Sequence, residues 1–324
     1  QSSMFPHQTD HVFEGAMMPI LFPASVEEYI EFGLAGYAMS RFSGLWVAFK
    51  AITETVESGR SMTVQAHDAG AAPRFRLPAD IHVPEGRGFN YDPNLRWPAE
   101  RSELERRILD ERLPAALAFM RANPLDRTLV RPRGARVGVV TVGKAHGDVL
   151  AAFAALGLSA QELERLGIGV YKIGMIWPLE TEGVRAFARG MQALVVVEEK
   201  RSFVERQIKE ALFNLRPDER PAVFGKDLGE AGPLLPAAME FAPDQIAAAL
   251  KRFFAHTQVE LTVSVPPVPL VAPVQRNGSR VIALAAAGND AQPLSRKPAA
   301  DTARDMGLPN RPSARKPSQA ARTP

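Results

Sequence analysis

One repeating pattern constrains the fold of this chain more than any other feature: apolar runs alternate with helix-like stretches from residue 136 to residue 254. The apolar runs are rich in β-branched residues and hardly interrupted by polar ones, which is typical of strands buried on both faces. The pattern predicts strands at residues 137–142, 168–173, 193–197 and 221–226. It predicts helices at residues 147–156, 182–188, 202–213 and 243–254. This alternation indicates an α/β fold with a doubly wound, mostly parallel sheet.

The sequence before this region is less regular. Residues 17–23 have a short buried-strand pattern, and Ser25 with Glu28 has the spacing of a capping box that starts a helix. Residues 45–49 fit a strand or a helix equally well. Glycine and proline interrupt residues 59–98, which predicts a connecting segment. Residues 101–122 predict an amphipathic helix with a kink at Pro114.

Composition excludes several classes of protein. The chain has 324 residues, of which 46% are hydrophobic, so it can form one large domain or two ordinary ones. Residues 276–324 hold nine Arg or Lys against three Asp, and this region predicts a disordered linker or tail instead of a nucleic-acid surface. Cysteine is absent, so this polypeptide cannot hold a disulfide or a thiolate-bound cluster. No run is long and apolar enough to span a membrane, which predicts a cytoplasmic protein.

A near match to a phosphate-binding loop begins at Gly138 and reaches Gly143, Lys144 and Ala145. The four residues after Gly138 are Val, Val, Thr and Val, which belong to the strand itself, and Ala145 replaces the hydroxyl that would bind magnesium. We therefore exclude a phosphate-binding loop. A glycine turn at the carboxyl end of the first strand remains, where α/β sheets place ligands or partners. Lys144 and His146 are candidates for such a contact.

Polar residues near the amino terminus form a second candidate. His7 and His11 are four residues apart, as in a helical metal pair, but a third ligand at matching spacing is missing and structural histidines are the commoner outcome. Ser2, Ser3, His7 and Gln8 also predict a polar loop beside a buried strand, and such loops often carry binding groups. A flexible terminus is the alternative.

The third candidate is the charged end of the strand at residues 193–197. Glu198 and Glu199 follow it directly, and paired carboxylates can act as general acid and base. The commoner interpretation is a charged strand end followed by Ser202 as the cap of the next helix.

Several strings in the sequence resemble one family when they are taken in order. They are SSMFPHQTDHVF, ARVGVVTVGKAHGDV, GVYKIGMIWPLETEGVRAFARG, LVVVEEKRSFVERQIKEALFN and VFGKDLGE. Together they resemble the indolepyruvate ferredoxin oxidoreductases, in particular their long bacterial fused form. The resemblance covers residues 1–255 and makes this chain similar to a middle fragment of such an enzyme.

The resemblance implies an activity for the whole enzyme. Members of this family decarboxylate a 2-oxoacid oxidatively on thiamine diphosphate with magnesium. Electrons leave through [4Fe–4S] clusters to ferredoxin, and coenzyme A accepts the acyl group. The partners implied are the remaining domains or subunits of an oligomeric oxidoreductase, with no nucleic acid and no membrane.

The resemblance also implies a domain plan. Residues 1–58 would end a pyrimidine-binding α/β domain, and residues 59–134 would be a connector with one helix. Residues 135–255 would form a transketolase C-terminal-like α/β domain, and residues 256–324 a Pro/Ala/Arg-rich linker or tail.

The same resemblance gives the amino-terminal loop a role. Ser2, Ser3, His7 and Gln8 match an SSxxxHQ-type loop that runs near the cofactor and substrate cleft. The activating carboxylate, the diphosphate site and the cluster ligands of the family do not match any part of this sequence. The resemblance therefore implies that this chain alone is a non-catalytic scaffold that binds none of these cofactors. The alternative is a stand-alone α/β module that binds a small ligand or a partner at Lys144 and His146.

Overall fold

We describe the fold from a computed structural model of the 324-residue chain. The structure describes residues 8–59, 61, 75–86, 88–90, 94, 96, 98 and 100–261. Ser2, Ser3, His7 and the predicted tail from residue 262 onwards lie outside the described residues. The chain divides into two units, residues 1–267 and 268–324, and the description below concerns the first.

The described residues alternate between helices and strands as the sequence predicts. The helices are α1 (Asp10–Gly15), α2 (Val26–Ser43), α3 (Thr53–Val56), α4 (Arg101–Arg107), α5 (Leu113–Ala122), α6 (Lys144–Ala155), α7 (Ala160–Leu166), α8 (Thr181–Ala188), α9 (Val204–Phe213) and α10 (Pro243–His256). The strands are β1 (Ile20–Leu21), β2 (Ala48–Phe49), β3 (Arg127–Val130), β4 (Val137–Val142), β5 (Ile168–Ile173), β6 (Met175–Trp177), β7 (Ala193–Val197) and β8 (Ala222–Phe224). No described helix is long and apolar enough to cross a membrane.

The main sheet has five strands in the order β3-β5-β4-β7-β8. β4, β5, β7 and β8 are parallel, and β3 joins β5 antiparallel at one edge. Every residue of β4, β5 and β7 is buried, because helices cover both faces of the sheet. α6 and α10 pack on one face, and α8 and α9 on the other. The predicted doubly wound α/β fold is confirmed.

A second, smaller sheet has the order β2-β1-β6. β1 is parallel to β2 and antiparallel to β6, which leaves the main sheet directly after β5. Residues 8–58, called the N-terminal segment below, therefore share a sheet with residues 175–177. The predicted domain boundaries at residues 58 and 135 stay predictions.

Some local predictions need correction. α2 begins where the capping box predicts, but the Ser25 side chain makes no capping bond, because Glu28 accepts the Ala24 N–H and pairs with Lys172 instead. The helix predicted at residues 101–122 is interrupted by the π-helical turn Ile108–Arg112, directly before Pro114. The sequence analysis did not predict α1, β3, α7 or β6, all of which are short.

Candidate functional site

The candidate site lies beside β4, where the next strands of the chain are added to opposite sides of the main sheet. β5 follows β4 along the chain and lies on one side of it, whereas β7 lies on the other side. The carboxyl ends of β4 and β7 therefore flank a topological switch point, where open α/β sheets form a crevice for ligands. The glycine turn predicted after β4 and the charged turn predicted after β7 meet at this crevice.

The N-terminal segment fills this crevice. Asp10, Phe22 and Lys50 line it together with Lys144 and Glu199, and the cavity left between them is about 10 Å³. This is at most enough space to admit one water molecule, so the crevice as it stands does not accommodate a small-molecule ligand. Lys50 Nζ lies 2.9 Å from both carboxylate oxygens of Asp10 and 4.3 Å from the centre of the Phe22 ring.

Gly143 allows this close approach. Its φ of +50° is in the left-handed region, and a Cβ atom at this position would lie 2.2 Å from the Phe22 ring. The turn predicted after the first strand is therefore confirmed. The residues between Gly138 and Gly143 belong to β4, as the argument against a phosphate-binding loop requires.

Lys144 begins α6 and is held by three acceptors. Its Nζ donates to Asp148 at 3.0 Å, to Glu199 at 3.3 Å and to the Phe241 carbonyl at 3.0 Å. Burial lowers the pKa of Lys144, but the two carboxylates outweigh this effect and the pKa is raised. The ammonium group therefore stays charged and ties α6 to the turn after β7.

His146 points away from the crevice, towards the interior. Its Nδ1 lies 2.9 Å from Thr141 Oγ1 in β4. Burial, together with the positive charge of Lys172, lowers the pKa of His146 to about 4. The imidazole is therefore neutral at physiological pH.

Glu198 caps α9 from the preceding turn. Its carboxylate accepts the backbone N–H groups of Phe203, Val204 and Glu205, each at 2.9 Å. Burial raises its pKa, although these three bonds oppose the effect. Ser202 was predicted to be this cap; instead its hydroxyl donates to Glu205 at 2.6 Å, because Glu198 already accepts the first N–H groups of the helix.

Gln8 reaches the same turn from the N-terminal segment. Its Oε1 accepts the Arg201 N–H at 3.2 Å, and its Nε2 lies 3.3 Å from the Arg201 carbonyl. Nε2 also donates to Asp10 at 3.2 Å. Gln8 therefore joins the Asp10–Lys50 pair to the turn after β7.

The structure brings together four of the predicted site residues: Gln8, Lys144, Glu198 and Glu199. His146 lies in α6, two residues after Lys144, and does not line the crevice. Ser2, Ser3 and His7 lie outside the described residues. His11 contacts the Phe203 ring at 5.1 Å and lies 3.5 Å from Glu14. No group of three potential metal-binding His, Asp or Glu side chains occurs within the described ranges.

A buried ion pair next to the crevice was missed by the sequence analysis. Lys172 is the penultimate residue of β5, is 1% exposed and donates to Glu28 of α2. Burial lowers the pKa of Lys172 despite this partner. The signal was present in the sequence, since a lysine within a buried strand needs an opposite charge.

A second concave region lies beside β3 and α8. It is a cleft of about 770 Å³ lined by Asp126, Tyr171, Glu180 and several arginines. Asp126 accepts the Gly174 N–H at 2.8 Å and the Tyr171 hydroxyl at 3.1 Å. Burial raises the pKa of Asp126 to about 6. These bonds tie the segment before β3 to the junction between β5 and β6.

The fold and this crevice define an α/β protein with a doubly wound sheet whose switch-point crevice is filled by its own N-terminal segment. A family model described as an indolepyruvate oxidoreductase domain matches residues 127–264, which include the whole main sheet. This match is to a part of the chain, and residues 127–264 are similar to that domain family.

The chain is also similar to individual indolepyruvate oxidoreductase subunits. The chain is 25% identical over 273 residues to the indolepyruvate oxidoreductase subunit IorA of Methanothermobacter thermautotrophicus, which is 82% of this chain and 40% of that protein. It is 24% identical over 277 residues to the subunit of the same name from Methanothermobacter marburgensis, again 82% of this chain and 40% of the relative. The chain thus spans about two fifths of the length of these relatives.

Among solved structures, the chain is similar to a 2-oxoglutarate:ferredoxin oxidoreductase from Magnetococcus marinus, with a TM-score of 0.41 and 14% identity. That similarity covers 72% of this chain and 42% of the other. A split-gene transketolase gives a TM-score of 0.28 and 20% identity over 40% of this chain and 42% of the other.

Proposed function

We propose that this chain is a scaffold within a 2-oxoacid:ferredoxin oxidoreductase that converts an aryl 2-oxoacid such as indolepyruvate to its acyl-CoA. The match of residues 127–264 to an indolepyruvate oxidoreductase domain and the similarity to IorA subunits support this proposal. Thiamine diphosphate, magnesium and [4Fe–4S] clusters would be bound by other parts of the enzyme, and ferredoxin would accept the electrons.

One observation carries the scaffold role. The crevice in which α/β sheets commonly bind ligands is filled by Asp10, Phe22 and Lys50 of the same chain. The sheet thus holds the N-terminal segment at the position where a ligand would bind. The alternative, a stand-alone module that binds a ligand at Lys144 and His146, would need this segment to leave.

The loop that ends at Gln8 is the part of this chain that we place nearest the chemistry. Ser2, Ser3, His7 and Gln8 match the loop that runs beside the cofactor and substrate cleft in the family. Gln8 is anchored to the turn after β7 by hydrogen bonds with the Arg201 backbone, so this turn holds the end of the loop at Gln8.

Steady-state kinetics of the complete oxidoreductase tests this function. Ser3→Ala and His7→Ala should raise KM or lower kcat for indolepyruvate. Lys144→Ala should change neither constant, because the Lys144 ammonium group is hydrogen-bonded to Asp148 and to the Phe241 carbonyl of the same chain. Wild-type kinetics for both loop variants would refute the role of the loop. The 324-residue chain alone, supplied with thiamine diphosphate, coenzyme A and ferredoxin, should show no turnover.

Titration of the chain with nucleotides and coenzyme A tests the alternative function. The scaffold role predicts no saturable binding. Binding that is lost in Lys144→Ala would favour the stand-alone ligand-binding module instead.

A further inference from the structure

The main sheet ends at β3, which has β5 on one side and no strand on the other side within the described residues. Arg127, Thr128 and Leu129 are exposed, so this outer side of β3, called the β3 edge below, is open to solvent. An open strand edge can accept a further strand through backbone hydrogen bonds.

A β-bulge divides the side chains of β3 between two concave regions. Thr128 pairs with Tyr171 and Val130 with Val170, so Leu129 is the additional residue of the bulge. Thr128 lines the cleft of about 770 Å³ beside α8, called the arginine cleft below. Leu129 and Val130 line a groove of about 470 Å³ beside α6 and α7, called the apolar groove below. The β3 edge is therefore flanked by a concave surface on each face of the sheet.

The apolar groove presents exposed leucines. Leu129 is 45% exposed and Leu150 of α6 is 47% exposed, and both line the groove together with the buried side chains of Phe153 and Leu163. Exposed apolar side chains that adjoin a concave apolar surface mark a site of interaction with another molecule. The groove can therefore accept apolar side chains.

The carboxylates of the arginine cleft already have partners. Asp126 and Glu180 each accept two backbone N–H groups of this chain. Glu182 lies 3.9 Å from Arg121. These carboxylates do not compensate the other arginines of the cleft.

Three arginines of the cleft have no carboxylate partner. Arg131, Arg185 and Arg189 form no ion pair with any residue in the part of the chain that the structure describes. Arg131 donates to the Arg189 carbonyl at 2.7 Å, and Arg185 donates to the Ala211 carbonyl at 3.1 Å, but these carbonyls carry no net charge. Guanidinium groups form their strongest hydrogen bonds with anions such as carboxylates. The cleft therefore favours acidic side chains on a molecule that binds beside β3.

The same charges disfavour a second copy of this chain as the partner. Two copies joined through their β3 edges would bring two arginine clefts towards each other, and like charges that face each other across strands are destabilising. A strand with acidic side chains has the complementary charge.

We propose that the β3 edge binds an extended acidic segment of another polypeptide chain, which adds a strand to the main sheet. Its acidic side chains would lie against Arg131, Arg185 and Arg189. Its alternate, apolar side chains would enter the apolar groove, because successive residues of a strand point to opposite faces of a sheet. This interaction does not depend on which reaction the oxidoreductase catalyses.

A synthetic peptide tests this surface on the full 324-residue chain. A fluorescently labelled peptide of about six residues, in which glutamate alternates with valine, should bind saturably in fluorescence anisotropy. A peptide that alternates lysine with valine should not bind. A peptide of the first composition, with its glutamates and valines in two blocks, should bind about tenfold more weakly, because it cannot present the two residue types to opposite faces. Failure of the alternating acidic peptide to bind would overturn the proposal.

Charge variants locate the acidic side chains of the peptide. Arg189→Glu should weaken binding of the alternating acidic peptide about tenfold, because it reverses one charge of the arginine cleft. Arg216→Glu is the matched control, since Arg216 is 69% exposed and lines neither concave region. It should bind the peptide as the wild type does. Equal weakening by both variants would mean that the peptide responds only to net charge, which contradicts the proposal.

The apolar groove is tested in the same way. Leu150→Gln should weaken binding about fivefold, because it places a polar group where an apolar side chain of the peptide would lie. Phe213→Gln is the control, since this ring is 67% exposed and lies outside the groove. Far-ultraviolet circular dichroism checks that both variants fold. Wild-type affinity of a folded Leu150→Gln variant would refute the role of the groove.

Backbone methylation of the peptide distinguishes an added strand from a peptide held by its side chains alone. In a strand, the N–H groups of alternate residues point to the same edge. The peptide methylated on its glutamate nitrogens and the peptide methylated on its valine nitrogens should therefore differ. The set that faces β3 should abolish binding, whereas the other should leave it nearly unchanged. Equal affinities of the two methylated peptides would show that no strand is added at the β3 edge.

Discussion

The main sheet and the N-terminal segment are held in different ways. β4, β5 and β7 are buried on both faces of the sheet. Burial of their apolar side chains stabilises the folded state strongly but depends little on the orientation of the groups in contact. The N-terminal segment adds directional contacts between charged groups to its apolar packing. Its acidic residues pair with basic residues of the sheet region (residues 127–256): Glu14 with Arg206, Glu28 with Lys172 and Glu31 with Arg127.

This difference indicates a division of roles. Apolar burial determines whether the sheet forms, because the hydrophobic effect is proportional to area and not to orientation. Ion pairs and hydrogen bonds determine where the N-terminal segment lies on the sheet, because they require particular partners at particular distances. Variants in the two regions should therefore respond differently to salt and to pH.

The largest effect is expected from the apolar region. Phe254→Ala removes a fully buried ring from the face covered by α6 and α10, and should lower the free energy of unfolding by about 3–5 kcal/mol. Urea denaturation at low and high salt measures this, and the loss should be the same at both. Phe213→Ala is the control, since this ring is 67% exposed and its loss should cost less than about 1 kcal/mol.

The buried ion pair should give the next largest effect. Lys172→Met leaves the Glu28 carboxylate without its partner and should cost about 3 kcal/mol of unfolding free energy. Lys172→Met/Glu28→Leu should recover most of this loss, because well-packed apolar groups can replace a buried pair. A single variant as stable as the wild type in denaturant titrations would show that the pair is dispensable.

The third effect is a loss of stability at acid pH that comes from His146. Its pKa is about 4 in the folded protein and 6.5 as the ordinary value, so the unfolded chain binds the proton first as the pH falls. The free energy of unfolding should then fall between pH 6.5 and pH 4, by about 1.4 kcal/mol per pH unit from this group. His146→Asn should flatten this part of the stability profile measured by thermal denaturation.

Asp126 should change stability with pH in the direction opposite to His146. Its pKa is about 6 in the fold against an ordinary value of 3.8, so the folded protein binds the proton first. This carboxyl should increase stability as the pH falls from 6 towards 3.8, by up to about 3 kcal/mol. Asp126→Asn should therefore make the protein more sensitive to acid. A profile that shifts in the same direction for both variants would contradict the assigned burial effects.

The smallest effect is expected at the exposed end of the contact between the two regions. Glu31 and Arg127 are both nearly half exposed, so Arg127→Ala should cost less than about 1 kcal/mol, and only at low salt. Arg127→Glu should cost more, because it places two carboxylates together, and Glu31→Arg in addition should restore stability. If the double variant is less stable than Arg127→Glu, the pair does not form in solution.

The sequence was sufficient to predict the four parallel strands of the main sheet, because long apolar strands and amphipathic helices are encoded locally. β6 could not be predicted in this way, since three residues become a strand only through β1, which lies about 150 residues earlier. The same limit applies to the site. Gln8, Lys144, Glu198 and Glu199 were each identified, but only the tertiary structure shows that they meet. Asp10 and Lys50 carried no local signal of their pairing.

The pairing of β1 with β6 also has a consequence during synthesis. Ile20 and Leu21 leave the ribosome long before Met175 and Trp177, their antiparallel partners, have been translated. At typical rates of translation the interval is roughly 8–30 s. During that time the edge of β1 that later pairs with β6 has no partner, and an unpaired strand edge can pair with another chain, so this edge is exposed to mispairing until residue 177 has been made.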